Sequence, residues 1–183
     1  MRLGRLIERL AIALAALAIA IGVIALLSGG LLAGSDQPGI SGAAAAPGVA
    51  FADQGAAALS PGQPDPLYDS DPPTSGPHHP AAVTRDGARL TNDQLLQALQ
   101  EGNVVLMYGG RRPPAGLEAL AARIAPFTPA LAAAGGAVIL ATRPGVRGIV
   151  ALAWTRMLRV ATAGDPRLLS FIQYWLGRGY RRR

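Results

Sequence analysis

The sequence predicts an α/β (α+β) domain: a small mixed sheet of about three strands covered by helices, in the order α-β-α-β-β-α, preceded by one N-terminal transmembrane helix. Three observations carry this. Leu10 to Leu27 is eighteen residues without a charge, and the apolar run extends to Leu32. At about 1.5 Å per residue that run covers a hydrocarbon core of about 30 Å. Beyond residue 66, short apolar runs bounded by glycine alternate with segments whose leucines recur at helical spacing. Between the two lies a stretch rich in Ala, Gly, Pro and Ser with no apolar periodicity.

The N-terminal third reads as anchor and stalk. Arg2, Arg5 and Arg9 precede the apolar run, and no basic residue follows it until Arg85. The positive-inside rule then places residues 1–9 in the cytoplasm, residues 10–32 across the membrane and the remainder outside. Ala50-Phe51-Ala52 has the small-x-small form of a signal cleavage site. It lies far beyond the apolar run, which is longer than a usual signal core, so an uncleaved signal anchor is the reading taken. Arg143 and Arg147 split the other long apolar region, and charge at mid-bilayer is costly, so no second span is expected. Residues 33–66 cannot bury enough surface to offset chain entropy and read as a disordered stalk.

Residues 67–178 carry the folding signals. Tyr68 to Pro80 is rich in proline, which pushes preceding residues out of the α region and makes an extended, turn-rich loop. Thr91 and Gln94 fit a capping box, Leu95, Leu96 and Leu99 give the helix an apolar face, and Gly102 is placed to end it. Val104 to Tyr108 reads as a buried strand. Pro113-Pro114 opens a second helix with Leu117, Leu120, Ala121 and Ile124 on one face, and Pro126 stops it. Thr128-Pro129 starts a short helix ended by Gly135-Gly136. Ala137 to Ala141 is the next strand, and Pro144-Gly145 a turn. Ile149 to Val160 reads as one long strand with Val150, Leu152, Trp154, Leu158 and Val160 on one face. Asp165-Pro166 starts a last helix with a stripe of Leu168, Leu169, Ile172, Trp175 and Leu176. Residues 179–183 form a basic tail. The first two strands, joined through helix, are expected to be parallel, and the second and third, joined by a tight Pro-Gly turn, antiparallel. The closing β-α-β-β-α resembles the second half of a thioredoxin-like fold, in architecture only.

Composition excludes several chemistries. There is no cysteine, so disulfides, thiolate metal sites and cysteine nucleophiles are ruled out. The net charge of +6 is unevenly spread: residues 34–101 carry eight acids against Arg85 and Arg89, and residues 102–183 carry twelve Arg against Glu118 and Asp165. Internal complementarity explains this most simply, and a basic surface for anionic lipid or polymer is the sharper alternative. Nucleic acid is not expected as a partner of a segment outside the membrane. Asp69 and Asp71 lack the Gly and Glu of a calcium loop. Gly109-Gly110-Arg111-Arg112 lacks the spacing and the Lys of a phosphate loop.

Tyr68 with Pro72-Pro73-Thr74-Ser75-Gly76-Pro77-His78, then Leu99, Gly102 and Val104 to Tyr108, then Ala153-Trp154 with Arg156, then Phe171-Ile172, resemble the bacterial family catalogued as domain of unknown function 3105. The resemblance covers about residues 66–180 and implies a single-pass, membrane-anchored extracytoplasmic domain without an established activity. Relatives usually carry His-x-Leu-Glu-His-Gly at the end of the first helix. This chain has Gln97 and Glu101 where those two histidines stand. The Trp and Cys that relatives often have soon after the loop are also absent.

His78 is the leading site residue, a His on a rigid loop that could bind a divalent metal with Glu101 or His79 helping. Adjacent side chains of an extended segment point to opposite sides, so His78 and His79 are not expected to share an ion. The alternative role for His78 is a hydrogen bond to backbone that pins the loop to the sheet. Tyr68, Pro73, Gly76, Trp154 and Arg156 are structural or site residues of the same motif. Arg156, a charge on an apolar strand, needs a partner, for which Glu101 is suited. Arg178, Arg181, Arg182 and Arg183 could touch anionic lipid or cell-envelope polymer. The function expected is a non-catalytic binding or envelope-associated module without cofactor. The alternative is a metal-binding protein or metal-dependent enzyme using His78 in a degenerate site.

Overall fold

The computed structural model describes residues 46–180. Their strands are β1 (Val49–Ala50), β2 (Ala88–Arg89), β3 (Val104–Tyr108), β4 (Val138–Thr142), β5 (Ile149–Ala153) and β6 (Arg156–Val160). Their helices are α1 (Asn92–Glu101), α2 (Leu117–Ile124), α3 (Pro129–Ala133) and α4 (Pro166–Trp175). The strands form one sheet in the order β1-β6-β5-β3-β4-β2.

The expectation of about three strands is therefore corrected to six, in a mixed sheet. Two of the additions, β1 and β2, are two residues long, too short for an alternating pattern to register. The third arises because the predicted long strand Ile149 to Val160 is a hairpin: Ala153 pairs with Arg156 across Trp154-Thr155. That turn carries no Gly, Pro, Asn or Asp, so nothing in its composition announces it. Among the described residues no helix is long and apolar enough to cross a membrane. The run Leu10 to Leu32, its cytoplasmic flank and the first part of the expected stalk lie outside them.

β3 is parallel to β4, as expected of strands joined through helix. The second and third strands, β4 and β5, run antiparallel as expected, but they are not neighbours. β5 is antiparallel to β3, not hydrogen-bonded to β4, so β4 and β5 flank β3 on opposite sides. The 143–148 connection must cross two strand spacings, roughly 10 Å, which a six-residue link can span. It passes over the end of β3, where a Cβ on Gly109 would stand 2.2 Å from the Val146 carbonyl oxygen. Gly109 is thus needed for close approach.

Alternation along β3 supplies both layers of the core. Val105 and Met107 join Leu95, Leu96 and Leu99 of α1 and Ala132 of α3. Val104, Leu106 and Tyr108 join Leu117 and Leu120 of α2 and Leu168, Phe171 and Ile172 of α4. The turn after Ala153 re-phases the hairpin. Val150, Leu152, Trp154 and Met157 face the α1 layer, whereas Leu158 and Val160 face the α4 layer, not the face expected for them.

The boundary of the folded unit also moves. Residues 46–66 belong to the compact unit that begins at Ala46. Val49 and Ala50 pair with Met157 and Arg156 of β6, and the Trp175 Nε1–H donates to the Pro47 carbonyl at 2.8 Å. Composition reads these residues as stalk because they lack periodicity, yet residues 47–51 are held by partners more than a hundred positions away and residues 54–59 by the clasp.

Candidate functional site

The Tyr68 to Pro80 loop is a clasp laid under a second strap, residues 51–59. Proline supplies stiffness, and burial supplies the rest: Pro72 to Gly76 and His78 are all buried. Ser75 and Thr74, both fully buried, are held by hydrogen bonds. The Ser75 hydroxyl donates to the Ala52 carbonyl at 2.9 Å and accepts from the Gln54 N–H at 3.2 Å. Thr74 accepts at its carbonyl from the Thr155 N–H at 2.9 Å, and the Phe51 N–H donates to the Thr155 carbonyl at 2.9 Å. The clasp, the strap and the β5–β6 turn are thereby tied at one residue, Thr155, whose φ of 60° is a left-handed conformation unusual for a β-branched side chain.

The remaining motif residues have equally specific positions. The Tyr68 hydroxyl donates to the Pro77 carbonyl at 3.0 Å, and its ring lies where a Cβ on Gly76 would come within 2.8 Å. Gly76, at φ 130°, also donates its N–H to the Gly55 carbonyl at 3.0 Å. Burial, then the charges of Asp65 and Asp93, push the Tyr68 phenol up to about 12. Trp154 donates its indole N–H to Asp53 Oδ1 at 3.2 Å and packs its ring 5.4 Å from that of Tyr180.

His78 is 2% exposed. Its Nδ1 lies 2.9 Å from the Gly76 carbonyl oxygen, which can only accept, so Nδ1 carries the proton. Its backbone bonds the strap through the His78 N–H to the Ala57 carbonyl at 3.1 Å and the Leu59 N–H to the His78 carbonyl at 3.0 Å. His79 turns away, placing Nε2 2.9 Å from the Gln63 carbonyl oxygen.

The structure does not bring the expected metal residues together. Neither hydrogen bond nor ion pair joins His78 to Glu101 among the described residues. The Glu101 carboxylate instead accepts from Gln97 Nε2 at 2.9 Å and Asn103 Nδ2 at 3.5 Å. No three His, Cys, Asp or Glu side chains cluster as metal ligands among the described residues. Arg156 does not pair with Glu101 either. Its guanidinium lies over the Trp175 ring, 5.2 Å from the centroid, and its Nε is buried without a hydrogen-bond partner. Arg178 stacks similarly on Tyr174 at 4.2 Å, and Tyr180 is tied to the Gln100 carbonyl at 2.9 Å. The free part of the expected tail is correspondingly shorter, and Arg181, Arg182 and Arg183 lie outside the described residues.

The exposed tip of the clasp carries the charge. Asp71 forms an ion pair with Arg143, and its carbonyl accepts from Arg159 Nη2 at 2.9 Å. Arg143 also donates to Asn92 Oδ1 at 3.2 Å. Asp71, Arg143, Arg89, Leu90, Thr91 and Asn92 line a cavity of about 600 Å³ open to solvent. Arg89 has no ion-pair partner among the described residues. Sequence reasoning missed this cavity. Its only local signal was an Asp at the loop tip, and Arg89 and Arg143 are brought to it by β2 and β4 lying side by side.

Comparison with known proteins agrees with the motif. No curated protein and no solved structure matches the chain. A family described as protein of unknown function (DUF3105) matches residues 65–181, well over half of the chain, and the protein belongs to that family.

Proposed function

We propose that this protein is a single-pass membrane protein whose extracytoplasmic domain is a non-catalytic, envelope-associated binding module. Its ligand presents an anionic group to the cavity beside the clasp. The observation that carries this reading is Arg89, without an ion-pair partner among the described residues, facing that cavity of about 600 Å³ at the N-terminal end of α1 beside the Asp71–Arg143 pair. An unpaired guanidinium and the positive end of a helix both favour an anion. The clasp motif supports the same reading from the other side: the Ser75 hydroxyl, the Tyr68 hydroxyl and His78 Nδ1 are occupied by structural bonds, which suits a wall better than a reacting centre. Arg178 and the three arginines after it would add attraction for anionic lipid headgroups or wall polymer.

The test is calorimetric titration of the full-length protein in detergent micelles with inorganic phosphate and with a glycerol-phosphate polymer. Saturable binding that Arg89→Ala weakens about tenfold, with an unchanged melting temperature, supports the reading. Binding indifferent to Arg89→Ala, or none, overturns it. Protease accessibility of the domain in intact cells tests the topology separately.

One observation favours a second reading. The proton on His78 Nδ1 is held by the Gly76 carbonyl, and Nε2 is the ring nitrogen without a protein partner among the described residues, the arrangement in which a metal-ligating His is oriented. Stoichiometric metal in the full-length protein, lost in His78→Ala, would establish it in place of the first.

A further inference from the structure

A second concavity, on the opposite side of β4 from the α1 layer, is lined by Asp86, Gly87, Tyr108, Glu118, Phe127 and Leu140 together with Pro113, Pro126 and two alanines, and measures about 350 Å³. Its polar groups are unusual for this protein. Arginine outnumbers acid in the chain, yet neither Asp86 nor Glu118 has an ion-pair partner among the described residues. Asp86 is fixed in place, since its Oδ1 accepts the Leu140 N–H at 2.7 Å. Tyr108 is 2% exposed, and no hydrogen bond joins its hydroxyl to protein among the described residues, although the oxygen is not enclosed. That hydroxyl reaches the cavity beside Gly87, where an added Cβ would stand 3.9 Å from it. The hydroxyl is the part of Tyr108 that opens to the cavity, so a group bound there would be its hydrogen-bond partner.

We propose that this cavity binds a primary alkylammonium group, held by the Asp86 and Glu118 carboxylates and the Tyr108 oxygen with its alkyl portion against Phe127, Pro113 and Pro126. The three acceptors match the three N–H donors of an ammonium. The apolar walls match the chain that carries it, and the aromatic ring adds cation–π attraction. A divalent metal is the poorer fit, because hard cations take six or more oxygen ligands and the cavity offers two carboxylates. Burial first, then the charges of Asp86 and Glu118, push the Tyr108 phenol up, so it stays protonated and can itself donate while its oxygen accepts. Burial likewise pushes Asp86 up, a direction that a bound cation reverses. This inference does not depend on the function proposed above, which concerns the other cavity.

The test is titration of the full-length protein in detergent micelles, with ring-labelled tyrosine followed by NMR and n-butylamine as probe. The Tyr108 resonance, assigned by its loss in Tyr108→Phe, is expected to shift saturably. Glu118→Gln, at an exposed position on α2, is expected to weaken the affinity about tenfold. Butyltrimethylammonium, which keeps the charge and the alkyl chain but has no N–H donors, is expected to bind at least about tenfold more weakly. An unsaturable shift, an affinity unchanged in Glu118→Gln, or equal binding of the trimethyl analogue overturns the proposal. Displacement of the amine by equimolar calcium would assign the site to a divalent cation and overturn it too. Calorimetry on Tyr108→Phe gives an independent readout, in which undiminished butylamine binding would also count against the site.

Discussion

Thr155 shows how a single residue can be decided against its own preference. A β-branched side chain at φ 60° is disfavoured by about 1–2 kcal/mol. It is held there because its N–H and carbonyl serve Thr74 of the clasp and Phe51 of the strap, at 2.9 Å each. Glycine at this position keeps both backbone bonds and removes the strain, at an entropic cost of about 0.5–1 kcal/mol. Thr155→Gly is therefore expected to be more stable by about 0.5–1 kcal/mol in urea unfolding. A less stable variant would mean that the threonine side chain holds the turn. His78 is the opposite case: its type suggested chemistry, and its position gives it a backbone role. The sequence could show that a histidine sat in a rigid loop, but not which atom its ring would meet.

At the scale of elements, the helices were legible because their signals are local. Thr91 and Gln94 exchange the two bonds of a capping box at 3.2 Å each, and Thr128 accepts from the Leu131 N–H at 3.1 Å. Thr91→Ala removes the hydroxyl acceptor and is expected to cost about 1 kcal/mol by chemical denaturation. It should cost less if α1 is held mainly by Leu95, Leu96 and Leu99, which are all fully buried. Strands were legible by type and not by neighbour. β3 and β5 are buried throughout and read as apolar runs, but such a run carries no mark of what lies beside it. That is why the antiparallel sense of β4 and β5 was legible, but not that β3 lies between them.

For the molecule as a whole, the folded unit begins near residue 46 and not at residue 67. Removing residues 46–66 strips β1 from the edge of β6 and leaves the Ser75 hydroxyl and the Trp154 indole without Ala52 and Asp53. A chain starting at residue 67 is expected to melt well below one starting at residue 46, as followed by circular dichroism. Equal melting temperatures would return those residues to the stalk. Alkaline pH offers a second global test. The Tyr68 phenol is raised in the folded state from 10.0 to about 12, so the protein gives up its proton less readily folded than unfolded. Its contribution to stability is present below pH 10 and is lost as pH rises through 12. Tyr68→Phe is expected to lose about 1 kcal/mol at neutral pH with the bond to Pro77. It should also show a shallower fall in stability between those pH values, with Tyr108 supplying the slope that remains.

The sequence by itself determined the family through its Pro-Pro-Thr-Ser-Gly-Pro-His segment, the helix starts through their caps, and the absence of thiol chemistry. All three are properties of residues close together in the chain. The tertiary structure decided the six-strand order, the hairpin at Trp154-Thr155, the docking of residues 46–59, and both cavities. Each of these depends on groups far apart in sequence, such as Arg143 meeting Asp71 and Trp154 meeting Asp53. Local pattern reports how a segment is built and how deeply it is buried. Which segments become neighbours is set by the summed packing and hydrogen bonding of the whole domain.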